Sequence, residues 1–351
     1  MIIMNTKGGA FMKYSSDKKQ TIVLYILDKI ASGEKSISKV VSEAFGISTN
    51  TVHAYLTELI NNNTIAKLKR GEYKLVSEQS FYSFQRSKGE LESDTAAYDE
   101  CLGKKIEHLS ENIQHIWAYA LSEMVNNVID HSNAENMHIT IAQNYLNTTV
   151  IIADDGVGIF EKIKNHFNFT NLDDAICELF KGKLTTDKAN HSGEGIFFTS
   201  KMMDKFLITS SKKTFTTLKY ENEELTDFGE APTGTRVLMS ISNFSKKTAR
   251  EIFDMYSNTE GSFTTTRIPL KNIFDTAPVS RSQAKRICNR LDKFEDVIID
   301  FENISWMGQG FAHQLFVVFK RAHPDINLIP ENMNESVVNM YNHVVNSNQP
   351  D

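Results

Sequence analysis

Residues 120–132 read ALSEMVNNVIDHS, residues 148–160 read TTVIIADDGVGIF, and residues 191–204 read HSGEGIFFTSKMMD. The first stretch ends a segment in which Ile113, Ile116, Trp117, Ala120, Leu121, Met124, Val125, Val128 and Ile129 recur at helical spacing. That periodicity predicts a buried packing helix. Glu123 and Asn127, four residues apart, project from one edge of the stripe, so a carboxylate and an amide become neighbours on an apolar element. A carboxylate at a buried edge has to be compensated. An isolated pair of this kind would cap the solvent edge of a core helix, but the next stretches of chain change the reading. Strand-like MHITIAQ and TTVIIADD run into D-D-G-V-G-I, then glycines 193 and 195 open a further helix from Ile196 to Asp204. Two more strands lead to the pair Gly234-Thr235.

These boxes, in this order, resemble the family that unites gyrase, the heat-shock chaperones, histidine kinases and mismatch-repair ATPases, and within it the anti-sigma-factor serine kinases. The resemblance spans roughly residues 100 to 243. It implies a Bergerat-type α/β sandwich, a mixed sheet with helices on one face, holding ATP and magnesium. It further implies that Asp154 accepts a hydrogen bond from the adenine amino group, rejecting guanine because a buried carboxylate would be left unpaired. Gly156 and Gly158 let the backbone pass close to base and ribose, and Thr235 bonds near Asp154. Asn127 becomes the magnesium ligand, an amide oxygen being a hard donor. Glu123 orients or deprotonates an attacking hydroxyl, whether of water or of a protein serine. Gly193 and Gly195 bring helix N-terminal amides to the phosphates. Residues 160–192 are long enough for a mobile lid, with Lys183, Thr185 and Lys188 as phosphate contacts. Asp155 reads as a solvated neighbour, Asn126 as rotated off the ligand face, and His131 as structural. No G-x-x-x-x-G-K-[ST] occurs, so the site is not a P-loop.

Outward from this core, Lys18 to Val76 reads as three helices and a hairpin. Gly46 ends the second helix, Ser48 caps the third, and Arg70-Gly71 turns the hairpin. The pattern resembles a winged helix-turn-helix. That likeness implies Thr49, Asn50, Thr51 and His53 in the major groove of DNA and Lys67, Lys69, Arg70 and Lys74 on its phosphates. Charge agrees: residues 1–75 carry eleven Lys or Arg against six Asp or Glu, while the whole chain is at −6. The polar stretch 79–104 reads as a linker. Residues 244–261 read as a connector with a helix bearing Ile252, Met255 and Tyr256.

From Ser262 onward strand and helix alternate three times, which predicts a small, mostly parallel α/β domain. VIIDFENISWMGQGFAHQLF resembles the STAS domains of anti-sigma-factor antagonists. Where that family often places a phosphorylatable serine this chain has Gly308, Gln309 and Gly310, with Ser305 read as a structural hydroxyl. The block therefore reads as an element for docking a protein partner or for homodimerisation.

Over its 351 residues the composition is that of a globular, multidomain α/β protein. No apolar run reaches membrane-spanning length, and the reading is cytoplasmic. Cys101, Cys177 and Cys288 are few, odd in number and far apart, against a disulfide framework or zinc site. Two functions stay open: a regulator in which Mg-ATP controls the DNA-binding and STAS-like domains, or a serine protein kinase acting on a partner. A sensor histidine kinase is disfavoured because His108 and His115 lie too close to the ATP box, and a gyrase-like motor because no transducer domain is apparent.

Overall fold

The computed structural model describes residues 16–184, 193–218, 233–274 and 276–347. Contacts divide the chain into two compact units. In the first, α1 (Ser16–Ala31), α2 (Ile37–Phe45) and α3 (Thr49–Asn61) precede the antiparallel hairpin β1 (Ile65–Lys69) and β2 (Glu72–Leu75). Gly46 ends α2 in the left-handed region at φ 62°. The Ser48 hydroxyl caps α3 by accepting from the Thr51 amide at 3.1 Å. Ile22, Ile26, Val41, Val52 and Leu56 form the core.

The second unit holds two sheets. In the six-stranded sheet the order is β3 (Glu78–Gln85), β4 (Asn136–Gln143), β5 (Asn147–Asp154), β8 (Thr235–Ser242), β6 (Lys205–Ser210) and β7 (Lys213–Thr216). β6 runs antiparallel to both β7 and β8. Alternation fixes which face is inward: Val150, Ile152 and Asp154 of β5 are buried, as are Thr235, Val237, Met239 and Ile241 of β8. Over them pack α4 (Glu111–Asn126) and α7 (Gly195–Met202), with α5 (Ile159–Phe167) and α6 (Leu172–Lys181) between. Ile113, Ile116, Trp117, Ala120, Leu121, Met124 and Val125 of α4 are all buried, as the helical spacing predicts.

The segment 79–104 is not a linker. Most of it is regular, forming β3 at the sheet edge, a turn at Arg86–Lys88 and helical turns from Asp94 to Ile106, and Phe84, Leu91, Ala97, Cys101 and Leu102 join the main core. Its polar composition hid a sparse apolar set that tertiary contacts collect. Of the expected lid, residues 160–192, α5 and α6 take up most of the part as far as Lys181, and 185–192 lie outside the described residues. In the connector, α8 (Ala249–Tyr256) begins with a capping box between Thr248 and Glu251; Ile252 and Tyr256 are buried while Met255 is 63% exposed.

The second sheet has parallel strands in the order β11 (Asn327–Glu331), β10 (Asp296–Asp300), β9 (Thr265–Pro269). It is covered by α9 (Arg281–Cys288), by α10 (Gln309–His313) with the helical turns that continue it to Ala322, and by α11 (Glu335–Asn346). Arg267 ties the three strands together, reaching Asp300 at 2.9 Å and Glu331 at 2.7 Å. Among the described residues no helix is long and apolar enough to cross a membrane.

If residues 79–104 are part of the core, Leu102→Ala should lower unfolding stability by about 2–5 kcal/mol. Urea denaturation of the full chain measures it; a change near zero would restore the linker reading.

Candidate functional site

A cavity of about 270 Å³ lies between α4, α5, the ends of β5 and β8, and the start of α7. Glu123, Asn127, Asp154, Gly158, Gly193, Gly195 and Thr235 all line it, although they come from four separate stretches of chain. Each element delivers its residue for a local reason. Glu123 stands on the edge of α4 that its apolar stripe leaves free, and Asn127 follows one turn on, at the start of the helical turns 127–132 that continue α4. Asp154 sits on the inward face of β5 by alternation, and Thr235 does so on β8.

Asp154 is only 7% exposed. Its Oδ1 accepts from the Gly156 amide at 2.9 Å, and the Thr235 amide also donates to it. Burial nevertheless wins over these two bonds and raises its pKa above the ordinary aspartate value. A carboxylate held this way in an apolar-walled cavity gains from a ligand that donates to it. Close approach bears on two glycines. At Gly195 a Cβ would meet the Glu123 carboxylate, the movable end of a side chain. At Gly234, φ is +91° and a Cβ would strike the Asp154 carbonyl. The Thr235 hydroxyl accepts from the Ile159 amide at 3.0 Å, so it fixes the start of α5 as well as flanking Asp154.

Other residues of the motifs lie away from the cavity or at its margin. Gly156 is packed on the Ser132 carbonyl and lies outside the lining. Asp155 turns away and accepts from the Glu135 and Asn136 amides, each at 2.9 Å, which with the Asn136 side chain lowers its pKa. Asn126 is absent from the lining, as its rotation off the face implies, whereas His131 lines it. Lys183, expected as a phosphate contact, is absent from the lining. Its Nζ donates to the Lys293 carbonyl at 2.8 Å and sits over the Phe263 and Phe294 rings, so a carbonyl dipole and two ring faces already compensate its ammonium. Thr185 and Lys188 lie outside the described residues.

Sequence reading missed Lys162. On α5, one turn beyond Gly158, it lines the cavity and donates to the His131 carbonyl at 2.7 Å. Its place right after D-x-G-x-G was the signal that could have found it. Leu179, Leu184, Ile196 and Phe197 supply apolar wall that no motif marks.

The arrangement fits a nucleotide with magnesium. A buried acceptor marks one end. Gly195 and Ile196, the first residues of the eight-residue helix α7, also line the cavity, and a helix N-terminus favours an anion. Glu123 and Asn127 provide the hard oxygen donors that magnesium accepts alongside phosphate. Comparison with known families agrees. Residues 113–243 match the histidine kinase-, DNA gyrase B- and HSP90-like ATPase family, so the chain contains an ATPase domain of that type. Residues 283–338 match a STAS-like domain of unknown function, DUF4325, so a STAS-like domain follows it. No curated protein matches the chain.

At the exposed N-terminal surface Thr49, Asn50 and His53 are open and Thr51 half-buried, while Lys67, Lys69, Arg70 and Lys74 are exposed along the hairpin. Lys69 pairs with Glu72 at 3.1 Å, a surface contact of little energetic weight.

Asp154→Asn should remove most ATP affinity while leaving the ligand-free protein as stable as the parent or more so. The sign follows from the raised pKa: above its unfolded value, ionised Asp154 costs folding stability, and an amide does not. For the same reason ATP affinity should fall as pH drops toward that raised value, because protonation removes the acceptor. Calorimetric titration and thermal melts check both; parental affinity in Asp154→Asn would refute the role. Lys162→Met should weaken ATP binding with less effect on adenosine, and equal loss for both would make Lys162 a packing residue only.

Proposed function

We propose that this protein is an ATP-binding regulator, in which Mg-ATP in the cavity controls a DNA-binding N-terminal unit and the STAS-like domain. The observation that carries the reading is the buried Asp154 carboxylate at one end of the cavity, with Glu123, Asn127 and the Gly195 helix start across from it. Asp154 selects the base and Asn127 holds magnesium. When bound, Mg-ATP supplies the phosphoryl chemistry; the chain's own part is to position it, to exclude water with Leu184, Ile196 and Phe197, and to orient a nucleophile through Glu123. Regulation needs only that ATP bind one arrangement of the protein better than another.

The helix–turn–helix geometry of α2 and α3, with exposed polar residues at the start of α3 and a basic hairpin, supports DNA binding by a winged helix. A second reading, transfer of phosphate to a serine of a partner protein, is favoured by Glu123 itself, whose carboxylate faces the cavity from the position a base for a hydroxyl would occupy. The STAS-like block serves as docking surface in both readings. It is not a phosphate acceptor in this proposal, since Gly308, Gln309 and Gly310 offer no hydroxyl at the start of α10.

Glu123→Ala should still bind ATP but lose turnover or transfer by about 100- to 10000-fold, the range for a lost general base. Labelled ATP with the protein alone and with cell extract separates the readings: free phosphate, label on a partner, or retention of intact ATP. Turnover at the parental rate in Glu123→Ala would sink its assigned role.

Duplex DNA binding by the full chain should weaken steeply with salt, through counterion release. Changing Lys67 and Arg70 together to Ala should flatten that dependence. No binding of any duplex at low salt would remove DNA from the proposal.

A further inference from the structure

Lys181 and Glu178, at the end of α6, are 1% and 2% exposed. Lysine is almost never buried so fully unless paired. All three donors of its ammonium are used: Glu178 Oε1 at 2.6 Å, the Arg286 carbonyl at 3.0 Å and the Asn289 carbonyl at 2.6 Å. Those carbonyls end α9, the first helix of the STAS-like domain, where intrahelical donors run out and the helix dipole is negative. A lysine of the ATPase domain thus caps a helix of its neighbour.

The cluster continues toward the cavity. Arg290 Nε pairs with the second oxygen of Glu178 at 3.1 Å, and its Nη2 donates to the Lys183 carbonyl at 3.1 Å. Its guanidinium lies 4.2 Å from the centre of the Phe167 ring. Thr266 of β9 donates to the Lys181 carbonyl at 2.8 Å. These contacts hold the stretch 182–184, of which Gly182 and Leu184 line the cavity together with Gly193. The Leu184 amide donates to the Gly193 carbonyl at 2.9 Å, and two residues on, Gly195 lies against Glu123. The clamp therefore fixes the wall next to the α7 N-terminus, the anion end, far along the chain from the Asp154 end.

We propose that the STAS-like domain is a working part of the nucleotide site: Arg290, acting with Glu178 and Lys181, is a positioning residue that sets the cavity wall at Gly182, Leu184 and Gly193 for the polyphosphate of the ligand. This rests on the reading of the cavity as an ATP site. Polyphosphate affinity then depends on the docked STAS-like domain, whereas adenine recognition at Asp154 does not. Because coupling between binding events is reciprocal, anything that shifts the end of α9 changes ATP affinity, and ATP changes the affinity for that agent by the same factor.

Lys181 and Glu178 are poor places to test this, since breaking a buried ion pair strands a charge and threatens folding. The Arg290 side chain is 17% exposed and suits better. ATP and adenosine are titrated calorimetrically, with magnesium, into the full-length parent and Arg290→Ala. ATP affinity is expected to fall by on the order of tenfold with adenosine affinity unchanged. A fall of equal size for both ligands, or for neither, overturns the proposal. Hydrogen exchange on the unmutated chain gives a second readout if Arg290→Ala does not fold: ATP, and not adenosine, should slow exchange of the amides in 286–293. Identical exchange with both ligands overturns the proposal independently. A parent that binds neither ligand overturns the ATP reading and this inference with it, whereas a parent that binds ATP while the ratio stays fixed sinks this inference alone.

Discussion

The packing of α4 against the sheet is the constraint on which the rest depends. Seven of its side chains are buried, which fixes its rotation, and that rotation alone decides that Glu123 and Asn127 point into a cavity instead of into core or solvent. Gly195 then brings the start of α7 next to the Glu123 carboxylate. A carboxylate, an amide and a helix start thereby line one space.

The cavity is electrostatically divided as well. Asp154 carries a desolvation penalty that its two amide donors only partly offset, so a ligand that donates to it is favoured there. At the opposite end the favourable partner is an anion. A ligand with a hydrogen-bond donor on one end and phosphates on the other satisfies both, which is why the same geometry supports nucleotide binding whether the phosphate is hydrolysed, transferred or only sensed.

The two domains of the second unit share a polar interface of unusual kind. Buried ion pairs are seldom a source of stability compared with apolar packing, yet Lys181, Glu178 and Arg290 are arranged so that the buried charges compensate one another and the ammonium spends every donor. Such satisfied networks fix one docking geometry in preference to many. Here that geometry ends at the cavity wall.

Much of this was legible in the sequence. Helical spacing gave α4 and its two polar residues, strand alternation into D-D-G-V-G gave Asp154, Gly46 and Ser48 bounded their helices, and the strand–helix alternation after Ser262 gave the parallel sheet, because periodicity, capping and turn chemistry act over a few residues. The rest depended on distance. Phe84, Leu91 and Leu102 look like scattered residues of a polar linker until a sheet edge collects them. Lys162 follows D-x-G-x-G closely in the chain, but it joins the cavity only because α5 packs beside His131. Lys183 is expected at phosphate as part of a lid, and in the structure its ammonium meets a carbonyl and two rings from far along the chain. Local order along the chain decided the elements and the motif residues; where a charge finds its partner is settled by long-range packing, and only the tertiary structure decided it.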